Sequence, residues 1–407
     1  MTVLHITQDG ITDHIGQSQL APYILGLADL GHDIHVLSAE KPGREALISR
    51  YRTLFDQAGV RWTIVPYYNR PPVISTAWVL WLLYRAAGQI VRREPVSVLH
   101  CRGHLAGFVG QRLKHRFGAR LLLDFRDFWL DVRIDRGRFP WVYRILKRFE
   151  PGLIRQSDQI VALTRRAVEL LQARYPETAA RGHNVYTVIP CCADFAHFRV
   201  DEAVTARSAV LRTGLAMPAG STVLLYLGSL GPDYLLNRMI ALFGQLRALR
   251  PDSVMLFLSN NGEPLVRDAA TAAGLPADSI RFANSGRDDV PAYIALASLS
   301  VVFINPVHKE GCSPTKLAEL LACNVPVVAN TGVGDLDILL SPDANGSVVV
   351  EDFEPATLRA ALVSVLERRD GREDGRIRDA SWGYSLEEGV KRYQAVYDAL
   401  GETPASV

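Results

Sequence analysis

The stretch Thr222-Val-Leu-Leu-Tyr-Leu227, followed at once by Gly228-Ser-Leu-Gly-Pro232, decides the fold. An unbroken apolar run of this length, closed by turn residues, reads as a strand buried on both faces of a sheet. The chain opens in the same way. Val3-Leu-His-Ile-Thr7 is an apolar strand, and Asp9-Gly10 begins a polar loop behind it. The pattern therefore starts twice.

Working outward from the two starts, strand-like and helix-like segments alternate. The first half offers strands at Val3–Thr7, Ile34–Ser38, Trp62–Val65, Val96–Leu99, Arg120–Asp124, Gln159–Leu163 and Val185–Ile189. Helical patterns lie between them at Gln19–Leu30, Ser75–Arg92, Leu105–Phe117, Tyr143–Arg155 and Arg165–Ala173. Pro190 closes this half, and Asp194–Ala219 reads as a linker with an entry helix. The second half offers Thr222–Leu227, Val254–Leu258, Ser279–Phe282, Ser300–Ile304, Val325–Ala329 and Ser347–Val350, with helices between and a last helix over Ser385–Leu400. Strands separated by helices predict parallel sheets covered on both faces, so the fold class is α/β with two doubly wound, Rossmann-like domains. The boundaries are placed at 1–195, 196–380 and 381–407. A length of 407 residues suits two domains of about 200 residues each.

Composition narrows the function. Hydrophobic residues make up 48% and charged residues 22%, as expected of a chain that folds in water. The longest apolar run, Val73–Tyr84, is too short to cross a bilayer. No basic, apolar leader precedes the first strand, and the five cysteines (Cys101, Cys191, Cys192, Cys312, Cys323) form no C-x-x-C pair. These features predict a cytoplasmic protein with reduced thiols and no bound metal. Charge is uneven. Residues 1–195 carry 26 Lys+Arg against 17 Asp+Glu, and the remainder 19 against 26. A basic half that also holds the Trp78–Trp81 segment suits peripheral attachment to an anionic membrane, and a merely solvated basic face is the alternative. Nothing resembles a nucleic-acid-binding module.

Doubly wound sheets bind ligands beyond the carboxyl ends of their strands. The loops there in the second half contain Ser229, Asn260, Arg287, and Asn305 through Ser313. The sharpest element is Gly311-Cys312-Ser313-Pro314-Thr315-Lys316-Leu317-Ala318-Glu319. Ser313 is predicted as helix N-cap and Pro314 as the first helical residue, so free amides would face an anion. Lys316 in that first turn opposes the helix dipole, and a bound diphosphate would reverse the sign. The competing reading is an exposed pair between Lys316 and Glu319 one turn apart. In the first half the matching element runs from Asp9 to Gln19, with Ser18 as predicted N-cap. Further polar clusters are His100-Cys-Arg102-Gly-His104 and Asp124-Phe-Arg126-Asp127-Phe-Trp129. No G-x-G-x-x-G occurs after either first strand, which argues against a dinucleotide cofactor.

These motifs together resemble family-4 glycosyltransferases, a retaining family of the GT-B fold, in the branch with a Ser-Pro-Thr-Lys donor loop. The likeness rests on Asp9-Gly10, Asp13, Gly16-Gln-Ser-Gln19, Asp124-Phe-Arg126-x-Phe-Trp129, Val188-Ile-Pro190, Leu227-Gly-Ser-Leu-Gly231, and Ser313-Pro-Thr-Lys316 with Glu319. Two departures stand out. The first acid of the family's Glu-x7-Glu pattern falls on Gly311, with Glu310 one residue away, and Gly228–Tyr234 lacks the customary Arg and Lys.

The resemblance implies two domains facing each other across a cleft, with a C-terminal helix returning to the first. It implies sugar transfer with retention from a nucleotide diphosphate sugar, UDP-linked ahead of GDP-linked, to a glycan or lipid-linked glycan of cell-surface polysaccharide. No metal or other cofactor would take part. Donor-binding residues would be Gly16, Gln17, Ser229, Asn260, Arg287, Glu310, Gly311, Cys312, Ser313, Thr315, Lys316 and Glu319. His104, Lys316 and Glu319 would serve catalysis. Asp13, Arg102, Arg126 and Asp127 would meet the acceptor. A sugar-nucleotide epimerase or hydrolase, or a non-catalytic sugar-nucleotide binder, are the alternatives.

Overall fold

A computed structural model describes residues 1–179, 185–368 and 376–402. The chain divides into two compact units. The first comprises residues up to Pro190, Glu310–Cys312, and the chain from Leu386 on; the second comprises Cys191–Lys309 and Ser313–Ser385. The first boundary thus falls at Pro190 rather than after Phe195. The segment expected over 381–407 divides at Ser385, and its last residues, 403–407, lie outside the described residues.

In the first unit seven strands form one parallel sheet: β1 (Thr2–Thr7), β2 (Asp33–Glu40), β3 (Arg61–Pro66), β4 (Val98–Arg102), β5 (Arg120–Phe125), β6 (Gln159–Ala162) and β7 (Tyr186–Val188). Their order is β3-β2-β1-β4-β5-β6-β7. In the second unit, β8 (Val223–Leu227), β9 (Val254–Leu258), β10 (Ile280–Ala283), β11 (Leu299–Val302), β12 (Val327–Asn330) and β13 (Val348–Val350) lie in the order β10-β9-β8-β11-β12-β13, also all parallel. The α/β class and the doubly wound architecture follow from the sequence as expected.

Helices cover both faces because each presents an apolar stripe. Helix Ile74–Arg93 buries Val79, Leu83 and Ala87, and helix Gly103–Phe117 buries Ala106, Val109 and Leu113, all against the core built on Leu4, Ile6, Leu99, Leu121 and Leu123. The second core gathers Leu224, Tyr226, Phe257 and Phe303 with Phe243 and Leu246 of helix Leu236–Leu249. No helix among the described residues is long and apolar enough to cross a membrane.

Three local expectations are corrected, each for a definable reason. The helix expected over Gln19–Leu30 is Ala21–Asp29, and a separate short helix, His14–Gln19, precedes it because Pro22 has no amide to join the two. Ser18 is inside the short helix and gives its hydroxyl to the His14 carbonyl instead of capping. The basic helix over Tyr143–Arg155 likewise splits into Pro140–Lys147 and Glu150–Gln156. Pro151 cannot donate to the Lys147 carbonyl, so the helix stops there. β4 runs past His100 to Arg102, which sits opposite Asp124 of β5 in the ladder. A charge completes the strand because its partner strand supplies the counter-charge.

The short helix at His14 packs on bare backbone. A Cβ at Gly16 would lie 2.0 Å from the Gly10 carbonyl oxygen and 2.5 Å from that of Ile11. Gly16→Ala should therefore force the loop and helix apart and lower the melting temperature by about 5 °C or more, since such overpacking costs on the order of 2 kcal/mol. Calorimetric melting of the variant against the parent checks this.

Candidate functional site

In each sheet the chain winds outward in opposite directions from two neighbouring strands, β1 and β4 in the first unit and β8 and β11 in the second. Loops leaving the carboxyl ends of such a strand pair diverge and leave a crevice.

At the first unit's crevice, the loop after β1 is held by a residue that the sequence reading did not single out. Glu40, the last residue of β2, is buried. Its carboxylate accepts from the Ile11 amide (2.6 Å), the Thr12 amide (3.2 Å), the Thr12 hydroxyl (2.5 Å) and the Ser38 hydroxyl (2.7 Å). Four donors satisfy a carboxylate without a cation and fix Gly10–Thr12 in one conformation. The available signal was an acid ending an otherwise apolar strand. Two site candidates brace the same loop: Asp13 pairs with Lys41 at 2.8 Å, and Gln17 donates to the Thr12 carbonyl at 2.9 Å.

Arg102 and Asp124 are brought together at the ends of β4 and β5. The Arg102 guanidinium is 3.2 Å from Asp124 and 3.7 Å from Asp9, and Arg126 reaches Asp124 at 3.3 Å. Burial alone would raise the Asp124 carboxyl, but Arg126 and Arg102 hold it below its ordinary range. Asp127 is half-buried just beyond. His104 lies in the first turn of helix Gly103–Phe117, buried, with Nε2 2.8 Å from Glu150 and its ring edge against Phe125. Glu150 also receives the Tyr175 hydroxyl and the Lys147 ammonium, the latter at 2.5 Å. Burial would raise this carboxyl, yet the His104 hydrogen bond and the Lys147 charge hold it at about 2. Sequence placed Glu150 inside a basic helix and gave no reason to connect it with His104.

In the second unit, Lys316 is buried in the first turn of helix Thr315–Ala322. Its Nζ stands 4.5 Å from the centre of the Tyr226 ring and 4.2 Å from that of Tyr234, and 3.4 Å from the Tyr226 hydroxyl. It also fills the space over Gly228, where a Cβ would come within 2.9 Å of it. Gly228 has φ +117°, so its backbone turns as few side-chain-bearing residues allow. Tyr226 in turn donates to the Ser229 carbonyl at 2.7 Å, tying the loop after β8 to the lysine. Tyr226 and Tyr234 were not among the sequence candidates.

Glu319, one turn on, is half-buried and faces Arg287 at 3.6 Å. The exposed Lys316–Glu319 pair is thus ruled out. Burial raises the Glu319 carboxyl to about 7, against the opposing pull of Arg287 and Lys316. Arg287 lies over the buried Phe198 ring at 5.6 Å, and its carbonyl is 3.3 Å from His197 Nε2. Ser313 is not the N-cap. Pro314 takes that position with extended backbone, and the Ser313 hydroxyl accepts from the Cys191 amide at 3.1 Å. Asn260 is exposed, whereas its neighbour Asn261 ties the loop after β9 to Leu230 with both ends of its amide. Thr315 precedes Lys316 and Ser229 follows Gly228, over which Lys316 lies, while Glu310, Gly311 and Cys312 group with the first unit, as do Gly16 and Gln17.

The Glu319 shift has a stability consequence. A carboxyl raised by folding from about 4.5 to about 7 destabilises the fold when ionised, so stability falls as pH rises across that window and stays lower above it. Glu319→Gln should therefore melt higher than the parent at pH 8 and match it near pH 4.5. Melting curves at the two pH values check the sign.

Comparison with known proteins bears on what these sites belong to. Residues 17–178 match the glycosyl transferase 4-like domain, and residues 210–379 match glycosyl transferases group 1. A D-inositol 3-phosphate glycosyltransferase of Geodermatophilus obscurus is 32% identical over 267 residues, 63% of this chain; the aligned part spans only 56% of that relative's length. Among solved structures, a sucrose-phosphate synthase from Thermosynechococcus elongatus superposes with a TM-score of 0.73 at 15% identity, covering 98% of this chain and 99% of the other. Anabaena HepE in complex with UDP-glucose superposes at 0.68 and 16% identity, covering 99% and 100%. The chain is thus a glycosyl transferase 4-like domain followed by a glycosyl transferases group 1 domain, on the two-domain α/β architecture of GT-B glycosyltransferases.

Proposed function

We propose that this protein transfers a sugar from a nucleotide diphosphate sugar to a glycan or lipid-linked acceptor, with retention and without a metal ion. The observation that carries the reading is Lys316. Its ammonium is withdrawn from water at the positive end of a helix, where the dipole opposes it. The two tyrosine rings offset part of that cost, each contributing up to about 2 kcal/mol when desolvated. A diphosphate beside Gly228 would supply the opposite charge, with the amides at the start of helix Thr315–Ala322 as further donors.

In this reading Glu319 accepts from the ribose hydroxyls and Arg287 flanks the base. Lys316, Ser229 and neighbouring amides stabilise the charge that develops on the leaving diphosphate. With no carboxylate nucleophile assigned, the acceptor attacks the face that the diphosphate leaves, and a diphosphate oxygen takes its proton. The UDP-glucose complex of HepE, a protein of the same fold, supports ranking UDP-linked donors first. His104, Arg102, Arg126, Asp127 and Asp13 are assigned to the sugar and acceptor side.

Calorimetric titration with UDP, GDP and ADP tests the donor site. One nucleoside diphosphate should bind, and Lys316→Ala should lower its affinity or the rate of donor turnover at least tenfold, which is about 1.4 kcal/mol. An unchanged affinity and rate would remove Lys316 from the site. Donor turnover should also persist in excess EDTA. Donor consumed equally fast with and without acceptors would favour hydrolysis over transfer.

A further inference from the structure

Segment 138–149 of the first unit carries four basic residues (Arg138, Arg144, Lys147 and Arg148) and no acid. Within it, none of the residues of helix Pro140–Lys147 is fully buried. Val142, Tyr143 and Leu146 are half-buried on the inner side, and Tyr143 sets its ring edge against Trp129 at 5.3 Å. The outer side carries Trp141, Ile145 and Phe149, spaced four residues apart and exposed to 60%, 45% and 58%. That spacing puts the three side chains along one line. Arg144 and Arg148 are exposed beside this line, and neither pairs with an acid among the described residues.

Scattered apolar side chains on a surface mean little, but three large ones in a row, fringed by unpaired guanidiniums, present a contiguous amphipathic face. The nearby acids are spoken for: Asp131 pairs with Lys147 and Arg174, and Glu150 is buried. The whole segment therefore shows positive charge and aromatic surface outward, which complements a negatively charged layer with an apolar interior beneath it. A second stripe of the same kind runs along helix Ile74–Arg93. There Ile74, Trp78 and Trp81 are exposed, the two indoles stack at 4.6 Å, and Arg85 lies 4.8 Å over Trp81.

We propose that the segment from Arg138 to Phe149 is a docking element for an anionic lipid surface. The helix lies in the plane of the headgroups, Trp141, Ile145 and Phe149 enter the boundary with the acyl chains, and Arg144 and Arg148 meet lipid phosphates. The proposal does not depend on the donor assignment.

Co-sedimentation of the full chain with phosphatidylglycerol-containing vesicles, and with phosphatidylcholine vesicles alone, tests it. The protein should bind the anionic vesicles at low salt and be released as salt rises. Arg144→Gln with Arg148→Gln should lower partitioning on the order of 25-fold, at about fivefold per charge. Trp141→Ser with Phe149→Ser should lower it at least about tenfold, with melting temperature and circular dichroism unchanged. No binding to anionic vesicles at low salt would overturn the proposal. So would parent-like binding by both double variants, or a loss confined to Trp78→Ser with Trp81→Ser, which would move docking to the other helix. Gel filtration adds a further outcome: an oligomer that Trp141→Ser converts to monomer would reassign the face to a second copy of the chain.

Discussion

Parallel strands must be joined by crossovers that carry the chain from one end of the sheet back to the other, and this constraint organises both units. Because β1 leads to β2 on one side and β4 leads to β5 on the other, the carboxyl ends of β1 and β4 are left without a connection between them. The same holds for β8 and β11. Several of the charged candidates gather at those ends. Asp9, Arg102 and Asp124 meet at the first, and Gly228 and Lys316 lie at the second.

Burying charge there demands explicit compensation, and the two units solve it differently. The first unit uses networks of opposite charges and backbone donors. Glu40 is saturated by loop donors, Asp124 sits between two guanidiniums, and Glu150 receives a histidine, a lysine and a tyrosine. Such arrangements rigidify loops, because breaking one member leaves another buried and unsatisfied. The second unit instead surrounds Lys316 with tyrosine rings, which attract a cation without fixing its partner. The first unit's crevice is therefore neutralised by opposite charges, while the second holds its cation against aromatic faces.

How far these features could be read from sequence follows from the range of the interactions. The thirteen strands among the described residues were legible, because parallel strands covered by helices on both faces read as short, mostly apolar runs closed by turn residues. The helix break at Pro151 was legible in principle through the missing amide, yet amphipathic periodicity continued across it and masked it. Lys316 and Glu319 stood out because the motif around them is local. Glu40, Tyr226 and Glu150 did not. Each acts on residues that are distant in sequence, 28 and 29 positions for Glu40, 90 for Tyr226 and 46 for Glu150, and no periodicity encodes such a partner. The Ser313 N-cap failed for a related reason: its hydroxyl was taken by Cys191, over a hundred residues earlier in the chain.

Lys316 and Glu319 then expose a choice between stability and recognition. At i and i+3 on one helix they are placed to neutralise each other, and an exposed version of that pair would be nearly free of cost. Instead Lys316 is buried and Glu319 half-buried, Glu319 turns to Arg287 at 3.6 Å, and its carboxyl is raised to about 7, so part of its charge is resisted near neutrality. A fold selected for stability alone would place an apolar or amide side chain at 319, since nothing in the core requires an acid there. In the proposed function the acid is useful because entering hydroxyl donors stabilise its ionised form. The raised carboxyl at 319 is thus a cost set by where this helix starts, beside Arg287 and Lys316.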